Sequence, residues 1–197
     1  MKNVIPILFL ILIIYIIYSK YDMTAGKYKC NMNIIVPIRD REKELEEFIE
    51  NILHIFGQNN INYRLYIIEQ SDKKEFNRGK LLNIGFLEAS KDNFAQHYYI
   101  SDIDIYPRTH DTFNLECVDG FTHLYGLENT LGGVFTVDKD SFKLVNGFSN
   151  EFYGWGLDDD LLLYRINTVG AKINKEDYIQ RYSDLVIDTP SPIDYLK

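Results

Sequence analysis

Between Asn33 and Pro107 the chain alternates apolar, β-branched runs with stretches of helical period, and this alternation narrows the fold more than any other feature. "NIIVPI" reads as a buried strand that ends in the loop "PIRDRE". "KELEEFIENILHIFGQNN" places Leu45, Phe48, Ile49, Ile52, Leu53 and Phe56 at helical spacing and stops at Gly57. "YRLYIIEQ" predicts a second strand. "NRGKLLNIGFLEASK" predicts a second helix with Leu81, Leu82, Gly85, Phe86 and Ala89 on one side, and "HYYISDIDIYP" a third strand. Strands alternating with helices in this order predict an α/β domain built on a doubly wound, mostly parallel sheet. Downstream, "FTHLYG" and "GGVFTVDKDSFKLV" predict short strands and then a helix, and "DDDLLLYRINTVG" an amphipathic helix closed by Gly170. "DLVIDTPSPIDYLK", with two prolines, reads as irregular.

The N-terminus is different in kind. "VIPILFLILIIYIIY", Val4 to Tyr18, is apolar and uncharged. As a helix it would span roughly 22 Å against a hydrocarbon core of ~30 Å, a gap that Tyr15, Tyr18 and a snorkelling Lys20 narrow. The expectation is an N-terminal membrane helix, an uncleaved anchor or signal-anchor over residues 1–20; a cleaved signal and a buried N-terminal helix are the alternatives. A linker over 21–32 and a catalytic domain over 33–197 complete the division. One Lys on each side, Lys2 and Lys20, leaves the orientation undecided by charge.

Composition excludes one class outright. With a net charge of −8 and dispersed Lys and Arg, the 197-residue chain lacks the electrostatic footprint of a nucleic-acid binder. Two cysteines, Cys30 and Cys117, leave open one bridge or two free thiols.

Two acidic groups stand out. In "SDIDIYP", Asp102 and Asp104 interrupt a strand; if the strand persists through both, they face one side. Buried carboxylates without a partner are costly, and open α/β sheets bind ligands beyond the carboxyl ends of their strands, so this pair marks a ligand site. Asp138 and Asp140 form a similar pair but read as a helix cap and a solvated turn. In "YGWGLDDDLLLYR" the only tryptophan, Trp155, lies between glycines and is followed by Asp158, Asp159 and Asp160 at a helix start. A helix N-terminus accounts for one or two acids, and three exceed that. An aromatic platform beside carboxylates suits a sugar.

Taken together, "VPIRDRE", "FNRGKLLNIGF", "SDIDIYP", "LGGVFTVDKDSFKLVNGFSN" and "YGWGLDDDLLLYR" make the chain from Ile34 to about Ile173 resemble the β-1,4-galactosyltransferase family, glycosyltransferase family 7. The shortness of the core looks more like the compact xylosylprotein-type members. The resemblance implies a nucleotide-sugar-binding, GT-A-like fold and a metal-dependent inverting transfer of galactose from UDP-galactose to a sugar hydroxyl, in β-1,4 linkage. It implies Asp159 as the catalytic base. On the donor side it implies Pro37, Arg39, Arg41, Phe76, Arg78, Asp102, Gly133 and Trp155. Trp155, Asp158 and Asp160 would meet the acceptor, a glycan or glycoconjugate, and Asp104 would bind Mn²⁺ or another divalent cation. A single-pass type II membrane protein with a luminal domain is the matching location.

Two departures qualify the resemblance. The family's downstream histidine metal motif is missing, because no His follows His123; Asp184 or Asp188 in "YSDLVIDTP" would have to replace it, giving an all-oxygen set. Thr130 stands where galactosyl-transferring members often carry Tyr, which leaves room for a bulkier donor such as UDP-N-acetylgalactosamine. A catalytically inactive carbohydrate-binding relative is the alternative of another class.

Overall fold

In the computed structural model of the chain, residues 13–18, 28–107, 115–127, 129–154, 156–176, 178 and 185–187 are described. The centre is the predicted alternation. Strand β2 (Cys30–Ile38) leads through the Asp40 turn into helix α1 (Glu42–Gln58), then β3 (Ile61–Glu69), helix α2 (Arg78–Ala89) and β4 (His97–Ser101). β2 lies between β3 and β4 and is parallel to both.

The two-residue period of β2 divides the core. Met32, Ile34, Val36 and Ile38 pack with Phe48, Ile52, Ile55 and Phe56 of α1. Ile35 joins Leu81, Leu82 and Phe86 of α2 on the opposite face, so helices cover both sides. α2 lies close enough to the sheet that only a glycine fits at position 85. A Cβ there would run into Ile35 and come within 3.0 Å of Ile68.

The flanks are antiparallel, so the sheet is mixed rather than uniformly parallel. β7 (Val134–Asp138) runs antiparallel to β4, and β6 (Phe121–Tyr125) antiparallel to β7. β8 (Ile173–Asn174) is parallel to β6. Helix α3 (Lys139–Leu144) follows β7, capped by Asp138, which accepts from the N–H groups of Asp140 and Ser141. Helix α4 (Asp158–Val169) ends at Gly170, whose φ of 69° is the left-handed cap read from the sequence.

Three expectations are corrected or extended. The third strand does not persist through both aspartates: β4 ends at Ser101, and the chain turns before β5 (Ile105–Pro107). The turn is held by the Ser101 hydroxyl, which bonds to the carbonyls of Asp102 and Ile105. β5 then leaves the main sheet and pairs antiparallel with β9 (Leu185–Ile187).

The N-terminal membrane helix is not seen among the described residues. Ile13–Tyr18 forms strand β1, antiparallel to β3 on the sheet edge, from Ile13 opposite Glu69 to Tyr18 opposite Arg64. The β-branched isoleucines and tyrosines of "IIYIIY" suit a strand, and β3 offers an open edge. No helix among the described residues is long and apolar enough to cross a membrane. β2 begins at Cys30, inside the stretch read as linker, and there Cys30 forms a disulfide with Cys117.

Candidate active site

Three carboxylates converge on one guanidinium beyond the carboxyl end of β4. Arg78, the first residue of α2, donates from Nε to Asp102 Oδ1 at 2.5 Å. From Nη1 it donates to Asp158 Oδ2 at 3.0 Å and Asp159 Oδ1 at 2.8 Å. The planar fork of Arg, always charged, suits such a multiple contact. Its outer face lies 5.5 Å from the Phe148 ring centroid, and Nη2 is buried with no partner among the described residues. Burial would lower the Arg78 pKa, but Asp102, Asp159 and Asp158 together drive it above its ordinary value.

The acids differ in environment. Asp158 is buried, and its Oδ2 is paired with Arg78. Asp160 is exposed. Asp159 lies between them: burial pushes its carboxyl up to about 6, Arg78 opposes that, and Asp158 and Asp102 add to it. Asp104 is raised first by burial and then by Asp102, against the pull of Arg41 and Arg78. Its Oδ2 lies 3.6 Å from Arg41 Nη1. Carboxylates outnumber guanidiniums here, which leaves the site short of positive charge.

Of the residues expected to hold a nucleotide, Arg41 reaches Asp104, and Phe76 lies two residues before Arg78. Arg39 donates to the Lys74 carbonyl and stands over the Phe76 ring at 5.6 Å. It lines an open groove of about 620 Å³ together with Asp40, Glu69, Lys73, Lys74 and Glu75. Pro37 is buried within β2 rather than in the loop, beyond the last β2 residue that pairs with β4. At that point its missing N–H leaves no gap in the β4 ladder.

The loop from Ser71 to Asn77 is organised by a residue with no sequence signal, Gln70. Its Oε1 accepts from the Asn77 N–H at 2.8 Å, and its Nε2 donates to Asp72 Oδ1 at 2.6 Å and to the Glu75 carbonyl at 3.0 Å. Asn77 in turn caps α2, which fixes where Arg78 begins.

The glycine pair after Leu131 has unequal roles. Gly133, expected on the donor side, is at φ 69°, and a Cβ there would meet the Tyr125 carbonyl, so its need is a strand contact. Gly132, not singled out from the sequence, lies directly against Asp159: a Cβ there would occupy the place of its carboxylate. The acidic turn itself is left-handed at Gly154, Gly156 and Leu157, with φ of 82°, 96° and 69°. Leu157 in that region is strained, a cost that often accompanies functional turns. Trp155, Asp184 and Asp188 lie outside the described residues. Among the described residues no group of three His, Cys, Asp or Glu side chains is arranged to hold a metal.

Comparison with known proteins covers most of the chain. Residues 17–117 match the N-terminal region of glycosyl transferase group 7, and residues 116–186 match the N-terminal domain of galactosyltransferase. Human β-1,4-galactosyltransferase 4 is 36% identical over 168 residues, which is 80% of this chain and 48% of that protein. Drosophila melanogaster β-1,4-galactosyltransferase 7 is 31% identical over 171 residues, 81% of this chain and 51% of the relative. The chain thus spans about half the length of these relatives. Among solved structures, a Drosophila β-1,4-galactosyltransferase 7 variant in complex with manganese, UDP-Gal and xylobiose superposes with a TM-score of 0.73 at 25% identity. It covers 82% of this chain and 71% of its own. A mannosyltransferase from Pyrobaculum calidifontis, 13% identical with a TM-score of 0.59, shares the fold.

Proposed function

Because the chain belongs to the galactosyltransferases of glycosyl transferase group 7, we propose that it transfers galactose from UDP-galactose to a sugar hydroxyl with inversion, forming a β-1,4 linkage. The observation that carries this reading is the Asp159 carboxyl, gathered with Asp102 and Asp158 on Arg78 and held at about 6. A base of that strength is ionised at neutral pH yet still takes a proton readily.

Asp159 accepts the proton of the acceptor hydroxyl as that oxygen bonds to the anomeric carbon. On the opposite face the bond from that carbon to the diphosphate breaks, and UDP leaves with the electron pair. Arg78 holds Asp159 and Asp102 in register, Asp160 and Trp155 meet the acceptor sugar, and Arg39, Arg41 and Phe76 take the nucleotide. Asp104 fits a divalent cation: it is a poorly solvated carboxylate beside Asp102, in a site short of positive charge. Its partners in the reading are Asp184 or Asp188, an oxygen set that suits manganese. Manganese bound there supplies positive charge to the departing diphosphate. The manganese, UDP-Gal and xylobiose of the Drosophila relative support the same assignment of cofactor, donor and acceptor class.

The test is release of UDP from UDP-galactose with Mn²⁺ and a panel of xylose- and glucosamine-terminated acceptors, with UDP-N-acetylgalactosamine as a second donor. Transfer that Asp159→Asn abolishes supports the reading. Sugar binding with no transfer by either form would make the chain a carbohydrate-binding relative, and preference for the bulkier donor would trace to Thr130.

Membrane attachment through the apolar run from Val4 and a luminal, type II orientation belong to the same proposal. The uncharged run supports it, while β1 draws Ile13–Tyr18 to the sheet edge, so retention in the pellet after alkaline carbonate is the deciding measurement.

A further inference from the structure

Behind the Asp159 carboxylate lies a buried histidine that the reaction as described does not use. His123, on β6, is fully buried, and its Nε2 lies 3.2 Å from the Gly132 carbonyl. A carbonyl only accepts, so Nε2 carries the hydrogen. Burial lowers the His123 pKa, against the backbone hydrogen bonds to Gly132 and Tyr125, which raise it. A β-bulge between His123 and Tyr125 breaks the β6 register at this point, a device that re-aims side chains.

Gly132 is the surface against which Asp159 rests, since any Cβ would displace the carboxylate. The back of the cluster is equally tight. A Cβ on Gly126 would lie 2.5 Å from the Gly132 carbonyl oxygen and 2.9 Å from His123 Nε2. Tyr178 closes it, donating its hydroxyl to the Gly126 carbonyl at 2.5 Å, with its ring 4.9 Å from the His123 ring.

We propose that His123 is a positioning residue for Asp159: its N–H fixes the Gly132 carbonyl, Gly132 sets the wall against which the carboxylate lies, and Tyr178 holds the imidazole in place. The proposal rests on Asp159 being the base. A histidine that acts only through the position of the base alters the chemical step and leaves donor binding alone.

The experiment compares steady-state transfer by the full chain and its His123→Leu, His123→Gln and Asp159→Asn forms, with UDP-galactose, Mn²⁺ and the xylose- or glucosamine-terminated acceptor that the wild type uses best. His123→Leu should lower kcat by about 10²-fold, the cost of a base displaced by about 1 Å, while KM for UDP-galactose stays within twofold. His123→Gln, whose amide N–H reaches the same carbonyl, should recover most of the loss. Wild-type kcat in a folded His123→Leu protein would overturn the proposal, as would kcat and KM falling together with no recovery by Gln. If His123→Leu does not fold, Gly132→Ala takes its place, and an unchanged kcat there is equally decisive against. Full activity in Asp159→Asn would remove the base itself and the positioning role with it. Failure of the positioning role alone looks different: Asp159→Asn inert and His123→Leu at full rate.

Discussion

Burial holds the Asp159 carboxyl at about 6 despite Arg78, and the direction of that shift sets two opposite expectations. Catalysis needs the ionised base, so transfer should rise with pH through about 6 and level off above it, a limb that a pH profile of kcat/KM, which reports the free enzyme, will show. Stability runs the other way. A carboxyl whose pKa is raised on folding favours the folded state while protonated, and that contribution is lost as pH climbs from about 4 toward 6. Asp159→Asn should therefore lose transfer by about 10²- to 10⁴-fold yet raise the Tm at neutral pH, with the gain vanishing below about pH 4. Arg78 behaves in the contrary sense. Removing it leaves Asp102, Asp158 and Asp159 without their shared cation, so Arg78→Leu should cost about 3–5 kcal/mol by urea titration. The run of three acids was readable in the sequence as more than a cap. That Asp158 pairs with Arg78 was not, because the two lie 80 positions apart and only the fold joins them.

Elements with one strong period were legible, and elements whose ends depend on distant partners were not. The core of α1 and both faces of β2 follow from spacing alone, since a helix or strand in any parallel sheet must bury those residues. The end of β4 at Ser101 does not follow from spacing. It depends on the Ser101 hydroxyl, on the Asp102 N–H reaching the Gly133 carbonyl, and on β9 drawing β5 away. Gln70 is the same case for the loop before α2, a polar residue whose work is visible only through four backbone and side-chain partners. Gly85 shows what helix placement requires. Because α2 touches Ile35 and Ile68 through it, Gly85→Val must push the helix off the sheet, an overpacking cost of about 1–3 kcal/mol. The unfolding free energy should fall by that amount, seen as a lower urea midpoint with little change in slope, since the surface exposed on unfolding is nearly the same.

At the scale of the whole molecule, composition left the cysteines undecided, and the fold decides them by bringing the start of β2 against the segment before β6. The Cys30–Cys117 bridge closes a loop of 87 positions that contains α1, β3, α2, β4 and β5, including Arg78, Asp102 and Asp104. Cross-linking a loop of that length restricts the unfolded chain by about 4–5 kcal/mol in the chain-entropy picture. For a chain of this size that amounts to roughly 10 °C or more in Tm. Such a bridge persists in an oxidising compartment, which is the environment of the luminal location proposed for the chain. Thermal unfolding with and without reductant should show this loss, and Cys30→Ala/Cys117→Ala should match the reduced protein. Because the bridge lies far from Arg78 in sequence and acts on the unfolded chain, the reduced protein kept below its lowered Tm should still transfer galactose at close to the oxidised rate. A rate that fell with reduction well below that temperature would mean that the bridge also holds the site in shape.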